Sequence, residues 1–484
     1  MTIAILGAGF SGLCMGARLR QCGHKNFKIY EKADEVGGTW RENTYPGVAC
    51  DVPSHLYSFS FSANPNWSSR YSPGAEIFEY AKDVTRSFDL YPDIEFGRHV
   101  LALNHDGERW IIAFKDGTTV TAGVVVSGLG GLHVPNIPEF DGTASFTGPI
   151  FHTAEWRDGV DLAGKHVAVV GSAASAVQVV PEIADVVSQL DIYQRTPNWI
   201  LPRRSYRYPK FVKRLFSTFP WLARAYRGIY FSINEARFSA FQLGDSLIRR
   251  IATSIFHNHL NASIDDEELR KALTPSYPIG CKRVLISDSY FEALNRKSVN
   301  VVTDGVAALT PTGVRTSSGE ERAADVIILA TGFRSFDILQ SVDVTGPTGT
   351  KLRDAWSDRI SAHRTIATPG FPNFFLLLGP NSGLGHNSVL LMIEAQVEYI
   401  LKLLKQAENV GARLIEPRRE AADRYAASLQ GELAQRVWSA DCGAWYVDEN
   451  GHNFTLYPNS VRHFLRAMRT PSMAEYSMPP TPPS

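Results

Sequence analysis

The sequence predicts an α/β protein built around two copies of one strand–turn–helix unit. In each copy, a short apolar segment runs into a turn of small residues and a helical pattern follows: residues 3–6 precede Gly7, and residues 167–170 precede Gly171. This order is the opening of a βαβ unit, in which a helix connects two parallel strands. The chain of 484 residues is long enough for two such domains.

The first turn, at residues 7–12, matches the pattern G-x-G-x-x-G of Rossmann dinucleotide-binding units. Its glycines allow a tight turn and close approach of the backbone to a pyrophosphate, which the N-terminus of the following helix stabilises. Residues 27–30 predict the next strand, and Glu31 at its end can accept hydrogen bonds from a ribose. The predicted dinucleotide contacts in this unit are Gly7, Gly9, Phe10, Ser11, Gly12, Glu31 and Lys32.

Residues 37–51, with the sequence GGTWRENTYPGVACD, follow this unit. They resemble the long fingerprint of Baeyer–Villiger monooxygenases, Ala/Gly-Gly-x-Trp-x4-Phe/Tyr-Pro-Gly/Met-x3-Asp, at every specified position, and residues 52–61 are also similar to that family. The resemblance implies that the first dinucleotide is FAD. By the same resemblance, the residues near the flavin are Gly38, Thr39, Trp40, Asp51 and Tyr57.

The second turn, at residues 171–176, carries Ala173 and Ala176 where the pattern expects glycine. Because position 173 approaches the pyrophosphate most closely, we expect a reduced affinity for the nicotinamide cofactor. The strand that follows, at about residues 190–193, leads into Gln194 and Arg195 with no acidic residue at its tip, which favours the 2′-phosphate of NADPH over NADH. The segment QRTPNW around Arg195 is similar to the same family, and the predicted NADPH contacts of this unit are Gly171, Ser172, Ser175, Gln178, Arg195 and Thr196.

Residues 146–157 lie between the two units and resemble the shorter fingerprint of the family, Phe-x-Gly-x3-His-x3-Trp. Trp156 favours the ketone-oxidising branch over the related N- and S-oxygenating flavin monooxygenases, whereas Arg157 departs from the usual proline or aspartate. We expect His152 and Trp156 to brace the linker between the domains, since their spacing supplies no base partner or metal set.

Two further segments resemble parts of the family's active site. Residues 277–283, YPIGCKR, are similar to the segment that carries a lysine beside the NADP phosphate and an arginine over the flavin, which implies these roles for Lys282 and Arg283. In the implied reaction NADPH reduces FAD, dioxygen forms a flavin peroxide, and the peroxide attacks a ketone to give an ester or lactone. Arg283 would stabilise the negative charge, and Asp51 would orient Arg283. Residues 442–446 place Trp445 near the cofactor or substrate, with core packing as the alternative.

These features predict two Rossmann-like dinucleotide-binding domains, one for FAD and one for NADP, with a helical insertion. The basic residues of the insertion are interpreted as a solvated face of a packed helix, in preference to a membrane-surface helix. The predicted boundaries are 1–142 for the first part of the FAD domain, 143–202 for the first part of the NADP domain, 203–272 for the insertion, 273–323 for the second part of the NADP domain, 324–470 for the second part of the FAD domain with C-terminal helices, and 471–484 for a disordered tail.

Composition restricts the partners. Lys and Arg together number 49, as do Asp and Glu, so the net charge gives no general reason to bind nucleic acid. The five cysteines form neither a C-x-x-C pair nor a zinc pattern and fit a reducing cytosol; we expect no metal, no signal peptide and no transmembrane segment, hence a cytoplasmic protein. Two alternatives stay open, an N- or S-oxygenating monooxygenase and a nucleotide-binding protein without turnover. The particular ketone and the oligomeric state are undetermined.

Overall fold

The computed structural model describes residues 1–244, 246–334, 342–440, 442–443, 445–448 and 450–479, which form the predicted α/β fold. The strands are β1 (Ile3–Leu6), β2 (Phe27–Tyr30), β3 (Ile94–Glu95), β4 (Val100–His105), β5 (Trp110–Phe114), β6 (Thr119–Ala122), β7 (Val124–Ser127), β8 (Ile150–His152), β9 (His166–Val170), β10 (Gln189–Tyr193), β11 (Ile200–Leu201), β12 (Leu285–Ile286), β13 (Val299–Val302), β14 (Val306–Thr310), β15 (Gly313–Thr316), β16 (Glu321–Ala323), β17 (Val326–Leu329), β18 (Asp343–Thr345), β19 (Phe374–Leu376), β20 (Glu416–Pro417) and β21 (Tyr476–Ser477). The α-helices are α1 (Phe10–Gln21), α2 (Thr39–Glu42), α3 (Gly74–Ser87), α4 (Ala174–Ile183), α5 (Lys210–Thr218), α6 (Pro220–Arg237), α7 (Leu247–Ser263), α8 (Glu267–Leu273), α9 (Tyr290–Leu294), α10 (Leu352–Ala355), α11 (Val389–Asn409), α12 (Arg419–Leu433) and α13 (Val461–Ala467).

Two five-stranded parallel sheets organise the molecule. The first has the order β19-β7-β1-β2-β3 and the second the order β13-β10-β9-β17-β8. β1 and β7 are buried along their whole length, as expected for parallel strands covered by helices on both faces. The turn after β1 and the turn after β9 therefore lie at the carboxyl ends of the strands of their sheets, where open α/β sheets bind ligands.

The second sheet corrects a predicted boundary. β17 pairs in parallel with β9 and β8, so this strand belongs to the second sheet and not to the FAD domain, to which the boundary at residue 324 assigned it. A buried strand of the sequence VIIL fits either sheet, since its composition does not specify its neighbours.

Residues 119–127 form two strands that belong to different sheets. β6 (Thr119–Ala122) is an edge strand of a four-stranded sheet, β18-β4-β5-β6, and its side chains alternate between more exposed and more buried positions. β7 (Val124–Ser127) is a fully buried strand of the first parallel sheet. The change from alternating to continuous burial at Gly123 marks the point where the chain passes from one sheet to the other.

The predicted disordered tail is wrong for residues 471–479. Tyr476 is buried, β21 pairs with β20, and the Glu475 carboxylate accepts hydrogen bonds from Arg364 at 2.7 and 3.0 Å. Residues 480–484 lie outside the described residues. Residues before the proline-rich end thus carry a buried tyrosine and a partly buried ion pair, which hold them to the rest of the molecule.

The insertion at residues 203–272 is helical, as predicted, and contains α5 to α8. The structure also contains a disulfide between Cys281 and Cys442, although the cysteine pattern had suggested a reducing compartment; the remaining cysteines are free. None of the described helices combines the length and the apolar composition needed to cross a bilayer.

Candidate active site

The first glycine turn is built as a phosphate-binding loop. Gly7 has φ +90°, and a Cβ on Gly12 would lie 1.9 Å from the carbonyl oxygen of Gly7, so neither position tolerates a side chain. Helix α1 begins here without a side-chain cap and without an acidic residue in its first turn, which leaves its amide groups to an anionic ligand. The donor set and the open backbone therefore fit the pyrophosphate of FAD.

Glu31 reaches this turn from the end of β2. Its buried carboxylate accepts hydrogen bonds from the backbone N–H of Ala8 at 2.7 Å and of Ala33 at 3.0 Å, and Arg41 lies 3.3 Å from it. The predicted ribose ligand is thus fixed beside the phosphate-binding loop. Lys32 instead points towards Glu42, at 3.3 Å.

The fingerprint at residues 37–51 is brought to the same loop by Gly38. This residue has φ +52°, and a Cβ on it would lie 3.1 Å from the Cα of Gly9, so the two backbones touch. Thr39 then starts the short helix α2, and the indole N–H of Trp40 donates to the phenol oxygen of Tyr57 at 3.0 Å. Gly38, Thr39 and Trp40, which the resemblance placed near the flavin, therefore lie beside the glycine turn of residues 7–12.

A second contact of the fingerprint joins it to the other nucleotide unit. Gln178 of α4 donates to the carbonyl oxygen of Ala49 at 2.9 Å and accepts from the phenol of Tyr45 at 3.0 Å. A Cβ on Gly47 would lie 2.5 Å from the carbonyl oxygen of Gln178. Gln178, predicted as a cofactor ligand, thus connects the two units through its side chain.

The second glycine turn has the same shape despite its alanines. Gly171 has φ +110°, and a Cβ there would lie 2.4 Å from the carbonyl oxygen of Ala330. Ala173 caps α4 with extended backbone at φ −88° and is exposed, so its methyl group causes no backbone strain. Asn198 fixes the turn by donating to the carbonyl oxygen of Ser172 at 3.0 Å, and Ser172 in turn lies 3.4 Å from the carbonyl oxygen of Thr196.

Arg195 and Lys282 approach each other from distant parts of the chain. The pKa of Lys282 is lowered, first by burial and then by the positive charge of Arg195. Neither residue forms an ion pair with a carboxylate within the described part of the chain. Two neighbouring cations without an acidic partner are suited to a phosphate, so these residues fit the 2′-phosphate of NADPH.

Arg283 and Asp51 meet where the two units face each other. The Arg283 guanidinium donates to the Asp51 carboxylate from Nε at 2.9 Å and from Nη2 at 2.6 Å, although the residues are 232 positions apart. Their side chains keep 42% and 30% of their accessible surface, so the pair can also contact a ligand. The charge of Asp51 is the main reason why the pKa of Arg283 is raised above its ordinary value.

The C-terminal segment completes the surroundings of Arg283. Tyr446 is buried and hydrogen-bonds the backbone of Arg283, while the disulfide joins Cys442 to Cys281, two residues before Arg283. Trp445 is 53% exposed and packs edge-on against Tyr446, with ring centroids 4.8 Å apart. Core packing of Trp445, the alternative left open by the sequence, is therefore wrong.

His152 and Trp156 take structural positions. His152 is buried at the end of β8, its Nδ1 accepts the N–H of Ala154 at 3.1 Å, and burial lowers its pKa. Trp156 packs edge-on against Phe151, with ring centroids 5.3 Å apart. These contacts agree with a bracing role beside the second sheet.

Two residues of α6 support the site and were missed by the sequence analysis. Arg227 donates to the carbonyl oxygens of His55, Leu56 and Ser58 at 2.7 to 2.9 Å and so holds the backbone on both sides of Tyr57. Glu235 accepts the backbone N–H groups of residues 461 and 462 at the start of α13. Neither residue belongs to a motif, and the only available signal was their position in a helical segment rich in aromatic residues.

Comparison with known proteins places this arrangement among flavin enzymes. The family model for flavin-binding monooxygenase-like proteins matches residues 1–344. A Baeyer–Villiger monooxygenase of Pseudomonas aeruginosa is 41% identical over 99% of this chain and 92% of its own length, and one of Streptomyces coelicolor is 39% identical over 98% and 92%. Among solved structures, cyclohexanone monooxygenase from Rhodococcus sp. Phi1 bound to NADP+ superposes with a TM-score of 0.89 at 26% identity, covering 99% of both chains. A steroid monooxygenase bound to NADP gives 0.86 at 27% identity, again over 99% of both chains.

Proposed function

The chain belongs to the flavin-binding monooxygenases and, within them, to the Baeyer–Villiger monooxygenase family, and from this premise we propose that it converts a ketone to an ester or lactone with FAD, NADPH and dioxygen. In the balanced reaction, ketone, dioxygen, NADPH and a proton give the ester, NADP+ and water. Since NADPH is kept reduced inside cells, we also propose a cytoplasmic site of action.

The pairing of Arg283 with Asp51 supports the proposal most directly. When bound, FAD accepts hydride from NADPH and activates dioxygen for transfer of one oxygen atom. Attack on a ketone carbonyl then creates negative charge on the carbonyl oxygen. Nε and Nη2 of the guanidinium donate to Asp51, and Nη1 donates to the carbonyl oxygen of Leu384 at 3.4 Å. The side chain still keeps 42% of its accessible surface and is open to a ligand. Arg283 can therefore donate to the developing oxyanion while Asp51 fixes its orientation.

The buried groups beside this pair are electrically neutral. Tyr57 is packed against Trp40 and keeps a neutral phenol, because burial raises its pKa far above the ordinary value. Cys50 is buried, and burial likewise raises the pKa of its thiol. Both groups lie close enough to Arg283 to interact with its charge, and because both are neutral they do not compete for it with a developing oxyanion.

The proposal is tested by incubating the FAD-loaded protein with NADPH, air and a panel of ketones and sulfides, and by identifying products heavier by one oxygen atom. We expect esters or lactones, and we expect Arg283→Ala to keep FAD and its reduction by NADPH but to lose ester formation about a hundredfold or more. Arg322→Ala is a matched control, because Arg322 forms a similar fork with Asp191 at 2.7 and 3.0 Å inside the second domain.

Three results would count against the proposal in different ways. Sulfoxides as the sole products would keep the monooxygenase and favour the heteroatom alternative. A yellow protein that NADPH does not bleach would favour binding without turnover. Ester formation by Arg283→Ala at the parent rate would remove Arg283 from the mechanism while leaving the reaction in place.

A further inference from the structure

The helical insertion presents an unusual amount of apolar surface to solvent. More than half of the exposed large hydrophobic side chains in the described residues lie between positions 206 and 251. The aromatic side chains of Phe211 and Trp221 keep 71% and 61% of their surface exposed. Single exposed hydrophobic residues are ordinary, but a concentration in one segment marks an interaction site. The interpretation of this segment as a packed helix with a solvated face is thus incomplete.

Helices α5 and α6 each have one side packed against the rest of the molecule and another side that carries these exposed residues. In α5, Phe216 is buried and its ring lies 4.8 Å from that of His55, whereas Phe211 and Leu215, one helical turn apart, are exposed. In α6, Ala223 and Asn234 are buried and Arg227 is fixed to the backbone of residues 55–58. The packed side of both helices is therefore already used.

The outer side of α6 continues the exposed strip. Trp221, Ile229 and Ile233 are separated by multiples of four residues, so they lie along one side of the helix, and all three are exposed. Phe219 stands at the junction of α5 and α6 and is also exposed. We define the α5–α6 surface by its apolar residues Phe211, Leu215, Phe219, Trp221, Ile229 and Ile233.

The charged side chains exposed on α5 and α6 are all basic. From residue 192 to residue 234 the sequence contains no Asp or Glu but nine Lys and Arg, in a chain whose formal net charge is zero. Lys210, Arg214 and Arg224 are exposed on α5 and α6, and Lys213 is half-buried. A symmetric contact with a second copy would place this positive surface against itself, which is unfavourable. An anionic partner is complementary to it.

We propose that the α5–α6 surface docks on an anionic phospholipid bilayer. Phe, Trp, Leu and Ile enter the boundary between headgroups and acyl chains, while Lys and Arg contact the phosphates, which is the usual division of an interfacial helix. The inner side of α6 holds the backbone beside Tyr57 through Arg227, so docking brings the FAD segment within one helix diameter of the lipid. The lipid contact itself does not depend on the proposed ketone oxidation.

The test is co-sedimentation of the FAD-loaded full chain with vesicles of phosphatidylcholine alone or mixed equally with phosphatidylglycerol. We expect binding to the mixed vesicles, little binding to phosphatidylcholine alone, and weakening as salt rises from low to physiological concentration. The double variant Phe211→Ser/Trp221→Ser should bind the mixed vesicles at least about tenfold more weakly, since two buried aromatic side chains are lost. FAD content and NADPH oxidation serve as the folding check, because these residues lie outside the active site.

The control is Val186→Ser/Val410→Ser, which removes two exposed apolar side chains elsewhere on the molecule. We expect this variant to bind like the parent. The proposal is overturned if the parent protein ignores mixed vesicles at low salt, or if the two double variants bind equally well. It is also overturned if the parent is a dimer that Phe211→Ser/Trp221→Ser dissociates, because the surface would then join two copies of the chain.

Discussion

Asp51 is the residue through which the first nucleotide-binding domain fixes Arg283 of the second. Its carboxylate receives two hydrogen bonds from Arg283, and its charge is the main cause of the raised pKa of that guanidinium. Arg283 remains protonated at every working pH, so Asp51 is needed for direction and not for charge state. A substitution of Asp51 should therefore lower the amount of oxygenated product formed per NADPH consumed, while leaving FAD binding largely unchanged.

Asp51→Asn should retain FAD and be reduced by NADPH within a few-fold of the parent rate. Because an amide holds the guanidinium less firmly than a carboxylate, we expect roughly a tenfold lower yield of oxygenated product per NADPH, with hydrogen peroxide making up the difference. The ratio of product to NADPH consumed measures this. Asp191→Asn is the matched control, since Asp191 pairs with Arg322 at 2.7 Å away from the cleft. Equal ratios in the two variants would contradict the role of Asp51.

Helix α6 connects three parts of the chain through Glu235. The Glu235 carboxylate accepts the N–H groups at the start of α13 (Val461–Ala467) and receives hydrogen bonds from His386 and Asn387. Burial alone would raise its pKa, but these hydrogen bonds lower it to about 2. A carboxylate at a helix N-terminus is stabilised by the helix dipole as well.

This lowered pKa predicts a pH-dependent contribution to stability. Because the folded pKa lies below the ordinary glutamate value of about 4.3, the contribution is complete above pH 4.3 and is lost as the pH falls towards 2. Glu235→Gln should thus lower the melting temperature at pH 7, with a cost of at most about 3 kcal/mol, and the difference should shrink below pH 4. Melting curves from pH 3 to 8 test this, with the exposed Glu267→Gln as the control. A difference that does not change with pH would contradict the assignment.

The elements that the sequence predicted well are those whose determinants are local. The two strand–glycine turn–helix units are specified by residues within a few positions of one another. Strand pairing is not specified in this way. β17 could have joined either parallel sheet, and the separation of β6 from β7 depends on which sheet lies beside each half.

The same reason explains why part of the candidate site escaped prediction. Resemblance to a known fingerprint placed Asp51 and Arg283, and the structure brings them together across 232 positions. Arg227 and Glu235 act through backbone groups that lie up to 172 and 227 positions away, and backbone partners leave no pattern in a single sequence. Their roles become visible only when α6 is packed against both the FAD segment and α13.

Across the whole molecule, the disulfide between Cys281 and Cys442 joins the active-site segment of the second domain to the C-terminal segment. The loop that it closes spans 161 positions, and it lies beside the contact of Tyr446 with the backbone of Arg283. No cysteine spacing could have predicted this pair, because the two residues come together only after both domains have folded. The bridge therefore limits how far the C-terminal segment can move away from Arg283.

The double variant Cys281→Ser/Cys442→Ser should unfold at a lower temperature and use NADPH less efficiently. Loss of a cross-link over so long a loop costs at most on the order of 5 kcal/mol, and a freer Tyr446 no longer fixes the backbone of Arg283, so we expect more hydrogen peroxide per NADPH. Treatment of the parent with dithiothreitol should have the same two effects and raise the thiol count of the denatured protein from three to five. Cys22→Ser, which removes an exposed free thiol, should change neither property. If the double variant has the same melting temperature and the same yield of hydrogen peroxide per NADPH as Cys22→Ser, the bridge does not hold the C-terminal segment to the active site in solution.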